Sequence, residues 1–449
     1  MICKRFLARP SVSEAAPPPA VATVQVTQAQ NALACSLIIP ILAGPLPVRC
    51  SASRTAHDVN DTNPTSPSHD QSLARQADAS SRAAALTLSL ALPGDTLLYL
   101  LLPIYATTFG VTLPEAGILL AANRLVRIAG YGWVGRFYAT HGPRTACLAA
   151  SAGAIISTFI YSVASGIWLL LIARLIWGLS YAAMNIANQA LPTSVIVGAP
   201  ERVGRSRAII AVGPTASLIA GALLATAFGP RSVFLVLTAV ALLAPMFAYR
   251  IAAQREPARL AGGPRFEKPG PISIWSFSMG FTIDGLFIFG LGLLAAASFP
   301  TGAVLAAGLA MSMRYGTEIL FAPVGGELGR RFGALPMLVT MSLATAVAML
   351  FLAGSGLWLW IGAVGTIVLR AIAGPLSAPV VAEMFPGAQR VPALARQATW
   401  RDIGAGAGPI AAGLIFPILS PLAIYGGGAM LIGAASLWLL QLRAPSSPG

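Results

Sequence analysis

Charged residues are scarce in this chain of 449 residues: 10% are Asp, Glu, Lys or Arg, whereas 56% are hydrophobic. A soluble domain has about 25% charged residues, so the composition excludes an ordinary soluble protein. The mean hydropathy of +0.74 predicts a polytopic membrane protein instead. The four cysteines and three histidines show no paired or metal-type spacing. We therefore expect no disulfide framework, no metal and no cofactor.

Acidic residues are the second shortage, because 15 Asp and Glu face 29 Lys and Arg, a formal net charge of +14. Most arginines lie in short loops between apolar runs, which is typical of membrane topology and not of a phosphate-binding surface. We expect no nucleic acid partner. No Ser–His–Asp grouping, metal cluster or nucleotide-binding loop indicates an enzyme.

Residues 1–82 differ from the rest and predict a disordered N-terminal extension, since they are rich in Ser, Ala, Pro, Asp and Asn. Their one apolar patch is short and broken by prolines, a poor candidate for a membrane span. The first residues are compatible with a signal or transit peptide, although the acids further along argue against a transit peptide. No Met occurs between Met1 and Met184, so a start assigned too far upstream is the alternative. We predict that the extension is dispensable.

Twelve apolar runs follow, six on each side of a polar linker. The expected parts are an N-terminal half (83–250), a cytoplasmic linker (251–271), a C-terminal half (272–442) and a cytoplasmic tail (443–449). The predicted helices lie near 84–109, 115–137, 145–164, 167–190, 207–228, 231–250, 272–298, 301–323, 336–354, 357–380, 397–419 and 421–442.

The loops between these runs alternate between basic and nearly uncharged. The basic set holds Arg136, His141, Arg144, Arg202, Arg205, Arg255, Arg259, Arg265, Lys268, Arg330, Arg331, Arg390, Arg396 and Arg443. The positive-inside rule then predicts that both termini are cytoplasmic.

The two halves read as copies of one six-helix unit. Arg174 and Gly178 match Arg370 and Gly374 at an offset of 196 residues. Similar offsets relate further pairs: Gly135 to Gly326, Gly142 to Gly333, Gly213-Pro214 to Gly408-Pro409, and the early acids Asp95 and Asp284. Such a repeat is typical of a transporter built from two halves around a midplane site.

Over residues 84–442 the chain resembles the major facilitator superfamily. The family's hallmark is a Gly-Arg-x-x-Asp-Arg-x-Gly-Arg-Arg loop between helices 2 and 3, echoed between helices 8 and 9. This chain matches it at Gly135, Arg136, Gly142 and Arg144, and in the second copy at Gly326, Arg331 and Gly333. Ala139 and Arg330 stand where the family's acid usually is. The resemblance implies a loop that holds the halves in one conformation, and the missing acids put its charge contacts in doubt.

Two further motifs resemble the proton-coupled exporter branch of that family. Arg174 and Gly178 form an Arg-x-x-x-Gly pattern on helix 4, and Gly213-Pro214 resembles the helix-5 glycine–proline motif of antiporters, with Gly408-Pro409 as its helix-11 copy. The resemblance implies an all-α integral membrane protein with twelve transmembrane helices in two pseudo-repeats. It also implies alternating access and proton-driven efflux of a small organic molecule.

In this fold helices 1, 4, 7 and 10 line the central cavity. Asp95, Arg174, Asp284 and Arg370 fall on these four helices, one on each. Intramembrane charges usually face a cavity or one another, so we predict two sets, Asp95 with Arg174 and Asp284 with Arg370. We assign them proton coupling, with a structural salt bridge as the alternative for each.

The substrate-binding candidates are Arg124, Arg127, Arg314, Glu318, Tyr99 and Tyr181. Neutralisation of Arg314 by Glu318 one turn along the helix is an alternative, as is snorkelling of Arg127. Asn123, Trp177, Asn185 and Asn188 offer further polar or aromatic contacts, with packing as the alternative.

Five arginines face three acids in the apolar helices, an excess of two positive charges. This excess favours an anionic or zwitterionic substrate. Proton-coupled uptake of an organic anion is therefore the first alternative to efflux, and a non-transporting receptor the second. We expect a monomer in a bacterial-type inner membrane whose partners are a small-molecule substrate, protons and the lipid bilayer.

Overall fold

The computed structural model describes residues 67–253, 268–291 and 303–441, and these ranges contain helices and no strand. The helices are α1 Pro67–Ile104, α2 Leu113–Val163, α3 Ile167–Ala190, α4 Ala199–Phe228, α5 Pro230–Ala241, α6 Ala244–Tyr249, α7 Pro271–Met279, α8 Ala303–Phe332, α9 Ala334–Phe351, α10 Leu357–Ala373, α11 Ser377–Met384, α12 Arg390–Ile415 and α13 Pro421–Leu439. Nine helices within the described ranges are long and apolar enough to cross a membrane. The all-α membrane fold is confirmed, and the helix order is consistent with the predicted runs.

The first helix begins at Pro67 and not near 84, so the expected extension to residue 82 is wrong for its last part. Residues 67–82 include the helix formers Ala, Gln, Leu and Arg, which continue the helix beyond the apolar run. This added segment is packed, because Ser80 and Ser81 are buried and the Ser80 hydroxyl accepts from the backbone N–H of Ala252 at 3.2 Å. Residues 1–66, most of the linker (254–267) and the tail beyond 441 lie outside the described residues.

The second and third predicted runs form one element that bends at Gly142. A capping box starts α2, in which Glu115 donates its backbone N–H to the Thr112 hydroxyl and its carboxylate accepts from the Thr112 backbone. Gly142 adopts φ 84°, a conformation that an L-residue rarely takes. The glycine therefore separates two helical segments with a kink.

Several other boundaries differ from the sequence prediction. The helices α4 and α12 begin at Ala199 and Arg390, ahead of the expected 207 and 397, because polar first turns continue each apolar run. The eighth predicted run extends to Phe332, and the tenth is divided by a 3-10 turn at Gly374–Leu376. The seventh run continues from α7 through a π-helical segment, Gly280–Phe287, which contains Asp284.

Glycines allow close helix crossings inside each half. A Cβ at Gly213 would lie 1.8 Å from the carbonyl oxygen of Ser89, so α4 crosses α1 in backbone contact there. The repeat partner Gly408 also lies in close contact with the π-helical segment, where a Cβ would come 2.5 Å from the Cα of Gly285. Both glycine–proline motifs thus mark close packing within a half.

The two halves meet along α4 with α8 and along α2 with α12. A Cβ at Gly204 would lie 2.5 Å from the carbonyl oxygen of Ala322, and one at Gly326 would lie 2.6 Å from that of Pro200. Arg390 donates to the carbonyl oxygen of Ala190 at 2.8 Å. All these contacts lie at the end of the bundle that carries the basic loops.

Candidate functional site

The Asp95 centre consists of Asp95 on α1, Asn123 on α2 and Arg174 on α3. Arg174 Nη1 binds Asp95 Oδ1 directly, and Asn123 Nδ2 donates to the same oxygen at 3.2 Å. The guanidinium is fully buried, and its Nε donates to the carbonyl oxygen of Leu119 at 3.0 Å. It also lies 5.0 Å from the centroid of the Tyr99 ring. This centre is compact, neutral and confined to the N-terminal half.

The Asp284 centre is larger. Asp284 Oδ1 accepts from Arg314 Nη2 at 3.0 Å and from Arg370 Nη2 at 2.9 Å. Its Oδ2 accepts from Arg401 Nε at 3.1 Å and Nη2 at 2.8 Å. One carboxylate therefore holds three guanidiniums, and two of the three were candidates from the sequence.

Glu318 completes the Asp284 centre. The alternative for Arg314, neutralisation by Glu318 within one helix, is not the arrangement of the structure, because Arg314 pairs with Asp284. Glu318 instead accepts from Arg370 Nη1 and lies 3.7 Å from Arg207 Nη1. Tertiary partners decide the direction of both side chains, and i,i+4 spacing alone does not.

Four arginines and two acids share this centre, which leaves an excess of two positive charges. The side chains of Arg207 and Arg401 are 25% and 35% exposed, whereas those of Asp284 and Glu318 are each 10% exposed. The accessible part of the centre is therefore basic. Such an arrangement can bind an anion, because guanidinium groups donate to carboxylates and phosphates in a planar fork.

The repeat shows where the two centres diverge. The offset of 191 that aligns Gly135 with Gly326 also aligns Asn123 with Arg314, and both side chains donate to the acid of their own half. The offset of 195 that aligns Gly213 with Gly408 places Ser206 at the position of Arg401. Two changes, Asn to Arg and Ser to Arg, thus account for two of the added arginines.

Two ion pairs in the central region join the halves, and the repeat relates them. Arg127 Nε lies 3.1 Å from Asp402 Oδ2 between α2 and α12, and Arg207 lies 3.7 Å from Glu318 between α4 and α8. The same offsets align Arg127 with Glu318 and Arg207 with Asp402. In both of these central pairs the N-terminal half supplies the arginine and the C-terminal half supplies the acid.

The remaining binding candidates surround the Arg127–Asp402 pair. The Tyr131 hydroxyl donates to Asp402 Oδ2 at 3.0 Å, and Arg127 lies 4.6 Å from the centroid of the Tyr181 ring. Arg124 Nη1 donates to the carbonyl oxygen of Ala405, so it binds the opposite half. In this structure both arginines bridge the halves, and their contact with substrate stays a prediction.

The family model described as "Major Facilitator Superfamily" matches residues 84–301. Over residues 84–301 the chain is a member of the major facilitator superfamily. The solved structure of the human organic anion transporter MFSD10 (TETRAN) is similar in fold, with a TM-score of 0.61 and 16% identity. The match covers 84% of this chain and all of that one. Comparison with curated proteins yields no match.

This superfamily member is a multi-pass membrane transporter, and its loop motifs lie where the halves meet. Gly135 faces Ala395 of the other half, and Arg330 lies 3.8 Å from Glu201 of the other half. Arg144 Nε donates to the carbonyl oxygen of Ile251 at 2.7 Å, while Arg136 is exposed. The second motif therefore keeps an ion pair between the halves despite the missing acid.

Glu327 belongs to the same loop region. Hydrogen bonds from Arg330 and Arg331 lower the pKa of the Glu327 carboxyl from its usual value to about 2. The carboxylate therefore stays charged at cellular pH and keeps both loop arginines in place.

Sequence reasoning missed three charged residues of the superfamily member's central region: Arg207, Arg401 and Asp402. They lie at or near the starts of the predicted runs 207–228 and 397–419, and the sequence analysis assigned them no role. The internal repeat could have revealed them, because aligning the glycine–proline motifs pairs Arg207 with Asp402. In the described part of the chain, no group of three or more His, Cys, Asp or Glu is placed to hold a metal ion.

Proposed function

We propose that this protein is a secondary transporter that moves a small organic anion by alternating access. The observation that carries the proposal is the Asp284 centre, where four guanidiniums share two carboxylates. Charges inside a membrane are costly unless they are paired. An anionic substrate would neutralise the excess that the protein leaves unmatched, on the arginines with the greater exposure.

We further propose that protons and the anion are carried together through Asp284. The Asp284 carboxylate and a substrate carboxylate would compete for the same donors on Arg314, Arg370 and Arg401. Protonation of Asp284 would release these donors, so proton binding would raise anion affinity. Linkage is reciprocal, and anion binding would therefore raise proton affinity. This coupling favours proton-driven uptake, the first alternative in the sequence analysis.

Efflux by proton exchange remains the second candidate. It is supported by the exporter-like patterns at Arg174-x-x-x-Gly178 and Gly213-Pro214. The geometry supports it less well, because Arg174 is fully buried in the Asp95 centre and Gly213 is in backbone contact with α1. These placements fit structural roles for both motifs.

The full-length protein in proteoliposomes loaded with a pH-sensitive dye provides the test. Small mono- and dicarboxylates are added outside in turn. We expect at least one to enter and acidify the lumen, faster at lower external pH. Alkalinisation of the lumen would support exchange, and no flux of any anion would reject anion transport.

Asp284→Asn is the decisive variant for the coupling. It cannot take up a proton in this range, so we expect anion flux without lumen acidification and without pH dependence. Asp78→Asn is the matched control, because Asp78 is a partly exposed carboxylate that belongs to neither centre. It lies seventeen residues before Asp95, which is about 25 Å along the helix. A normal pH response in Asp284→Asn would contradict the assignment.

A further inference from the structure

A cavity of about 50 Å³ opens beside the Asp284 centre within the C-terminal half and the adjoining part of α4. Its charged and polar wall includes Asp284, Arg207, Arg370, Arg401, Ser276 and Gln397. The cavity is thus continuous with the arginines to which we assign the substrate anion. It is a small space, suited to a compact molecule.

Two polar atoms of the residues that line this cavity have no hydrogen-bond partner. Gln397 Oε1 and Ser276 Oγ are both buried and unpaired, and their residues are 5% and 1% exposed. Buried polar groups in folded proteins are nearly always satisfied. An unpaired amide oxygen and an unpaired hydroxyl among the residues that line one cavity therefore indicate a partner that comes from inside the cavity.

The chemistry of the two groups restricts that partner. An amide oxygen only accepts, and a serine hydroxyl both donates and accepts. The guanidiniums in the same wall only donate, so they fit the acidic group of a ligand. A ligand that forms hydrogen bonds with all the polar groups of the cavity wall has an anionic group and, close to it, an O–H or N–H donor.

We propose that the transported anion is a small hydroxy- or amino-carboxylate, bound through its carboxylate by the arginines and through its hydroxyl or amino group by Gln397 and Ser276. This inference rests on the proposed anion transport and adds the class of substrate. A plain carboxylate of the same size would leave Gln397 Oε1 unpaired. The cavity would therefore distinguish the two, because a site that pairs a substrate hydroxyl disfavours the analogue that lacks it.

The test measures binding of matched probes to the purified full-length protein by titration calorimetry. The pairs are glycolate with acetate, lactate with propionate, and malate with succinate. We expect the hydroxylated member of at least one pair to bind about tenfold more tightly, the effect of one net hydrogen bond. In Gln397→Leu and Ser276→Ala this ratio should fall towards one.

Gln389→Leu is the matched control, because Gln389 lies on an exposed turn and should keep the wild-type ratio. Equal affinities within every pair would overturn the inference and leave anion transport standing. A ratio that persists in both variants would overturn it as well, because water would then satisfy the two groups. Failure of all six probes to bind would reject the proposed anion transport, and the inference would fall with it.

Discussion

The Asp95 and Asp284 centres occupy the same place in the two repeats, yet they have different partners. Asp95 binds one arginine and one asparagine, and Arg174 gives its remaining donors to backbone carbonyls of α2. Asp284 binds three arginines, one of which is 35% exposed beside a cavity. The comparison teaches that one half pairs its intramembrane charges fully, in a way that holds helices together, whereas the other leaves an excess of positive charge, which we propose binds a ligand.

The divergence needs few substitutions because the helix framework already aims both positions at the acid. Asn123 and Arg314 reach their acids from equivalent points on α2 and α8, at 3.2 and 3.0 Å. Replacing an amide by a guanidinium there adds a full charge without moving a helix. A duplicated fold can thus divide support and binding between its halves.

Asp95→Asn should cause the largest loss of stability of any single change in either centre. It leaves the fully buried Arg174 guanidinium without its counter-ion, and removing one partner of a buried pair costs about 3–5 kcal/mol. Thermal unfolding of the purified protein measures the effect. Replacing both residues, as Asp95→Asn with Arg174→Met, should restore much of the stability.

Asp284→Asn provides the comparison for that measurement. Its arginines keep Glu318 and access to the cavity, so we expect a smaller loss of stability. A loss as large as that of Asp95→Asn would contradict the division into a supporting and a binding half.

Arg401→Ser makes the C-terminal half resemble the N-terminal half at one position, because Ser206 is the repeat equivalent. It removes one of the more exposed donors of the Asp284 centre. A charge-assisted hydrogen bond contributes about 1.5–3 kcal/mol, so we expect the anion KM to rise by roughly ten- to a hundredfold. Uptake of the labelled anion into proteoliposomes measures it. Arg314→Asn, the other repeat-matched change, should act in the same direction.

Arg396→Ser is the control, because Arg396 lies on the same helix but outside the Asp284 centre. An unchanged KM in Arg401→Ser and Arg314→Asn would show that the excess charge does not bind the substrate.

The inter-half pairs extend the comparison to the contacts that open and close the protein. Arg127–Asp402 is the closer and more buried pair, at 3.1 Å, and Arg207–Glu318 is the looser one, at 3.7 Å. We expect Asp402→Asn to favour separation of α2 from α12, with a coupling energy of about 1–3 kcal/mol in a double-mutant cycle with Arg127→Gln. Maleimide labelling of a cysteine placed at Ala395, which faces Gly135, reports the opening.

The charge swap Arg127→Asp with Asp402→Arg should restore protection of that cysteine. The Arg207–Glu318 cycle should give a smaller coupling energy. Labelling that stays slow in Asp402→Asn would show that this pair does not hold the halves together.

The sequence predicted both acid–arginine pairs, because a charge inside an apolar run must find a partner. The prediction missed three charged residues for a physical reason. Hydropathy marks where a run becomes apolar, but α4 and α12 begin seven or eight residues earlier with polar turns. Arg207, Arg401 and Asp402 therefore lie well inside their helices and not at the ends. The direction of Arg314 was beyond sequence reasoning as well, because helix packing and not local spacing decides it.

We expect the smallest effect in a comparison of the two loop-motif glycines, Gly135 and Gly326, when each is replaced by alanine. A Cβ at Gly326 would meet the backbone of Pro200 at 2.6 Å, whereas one at Gly135 would lie 3.7 Å from the Cβ of Ala395, an ordinary contact. Both changes to alanine raise helix propensity by a similar amount, so this gain cancels in the comparison. We expect Gly326→Ala to change the transport rate by a few fold, since α8 must shift away from α4, and Gly135→Ala to leave it unchanged. Initial rates in proteoliposomes at matched protein content decide between the two. Equal rates would mean that the α4–α8 contact relaxes at no cost, and closing of this end would then depend on the inter-half ion pairs.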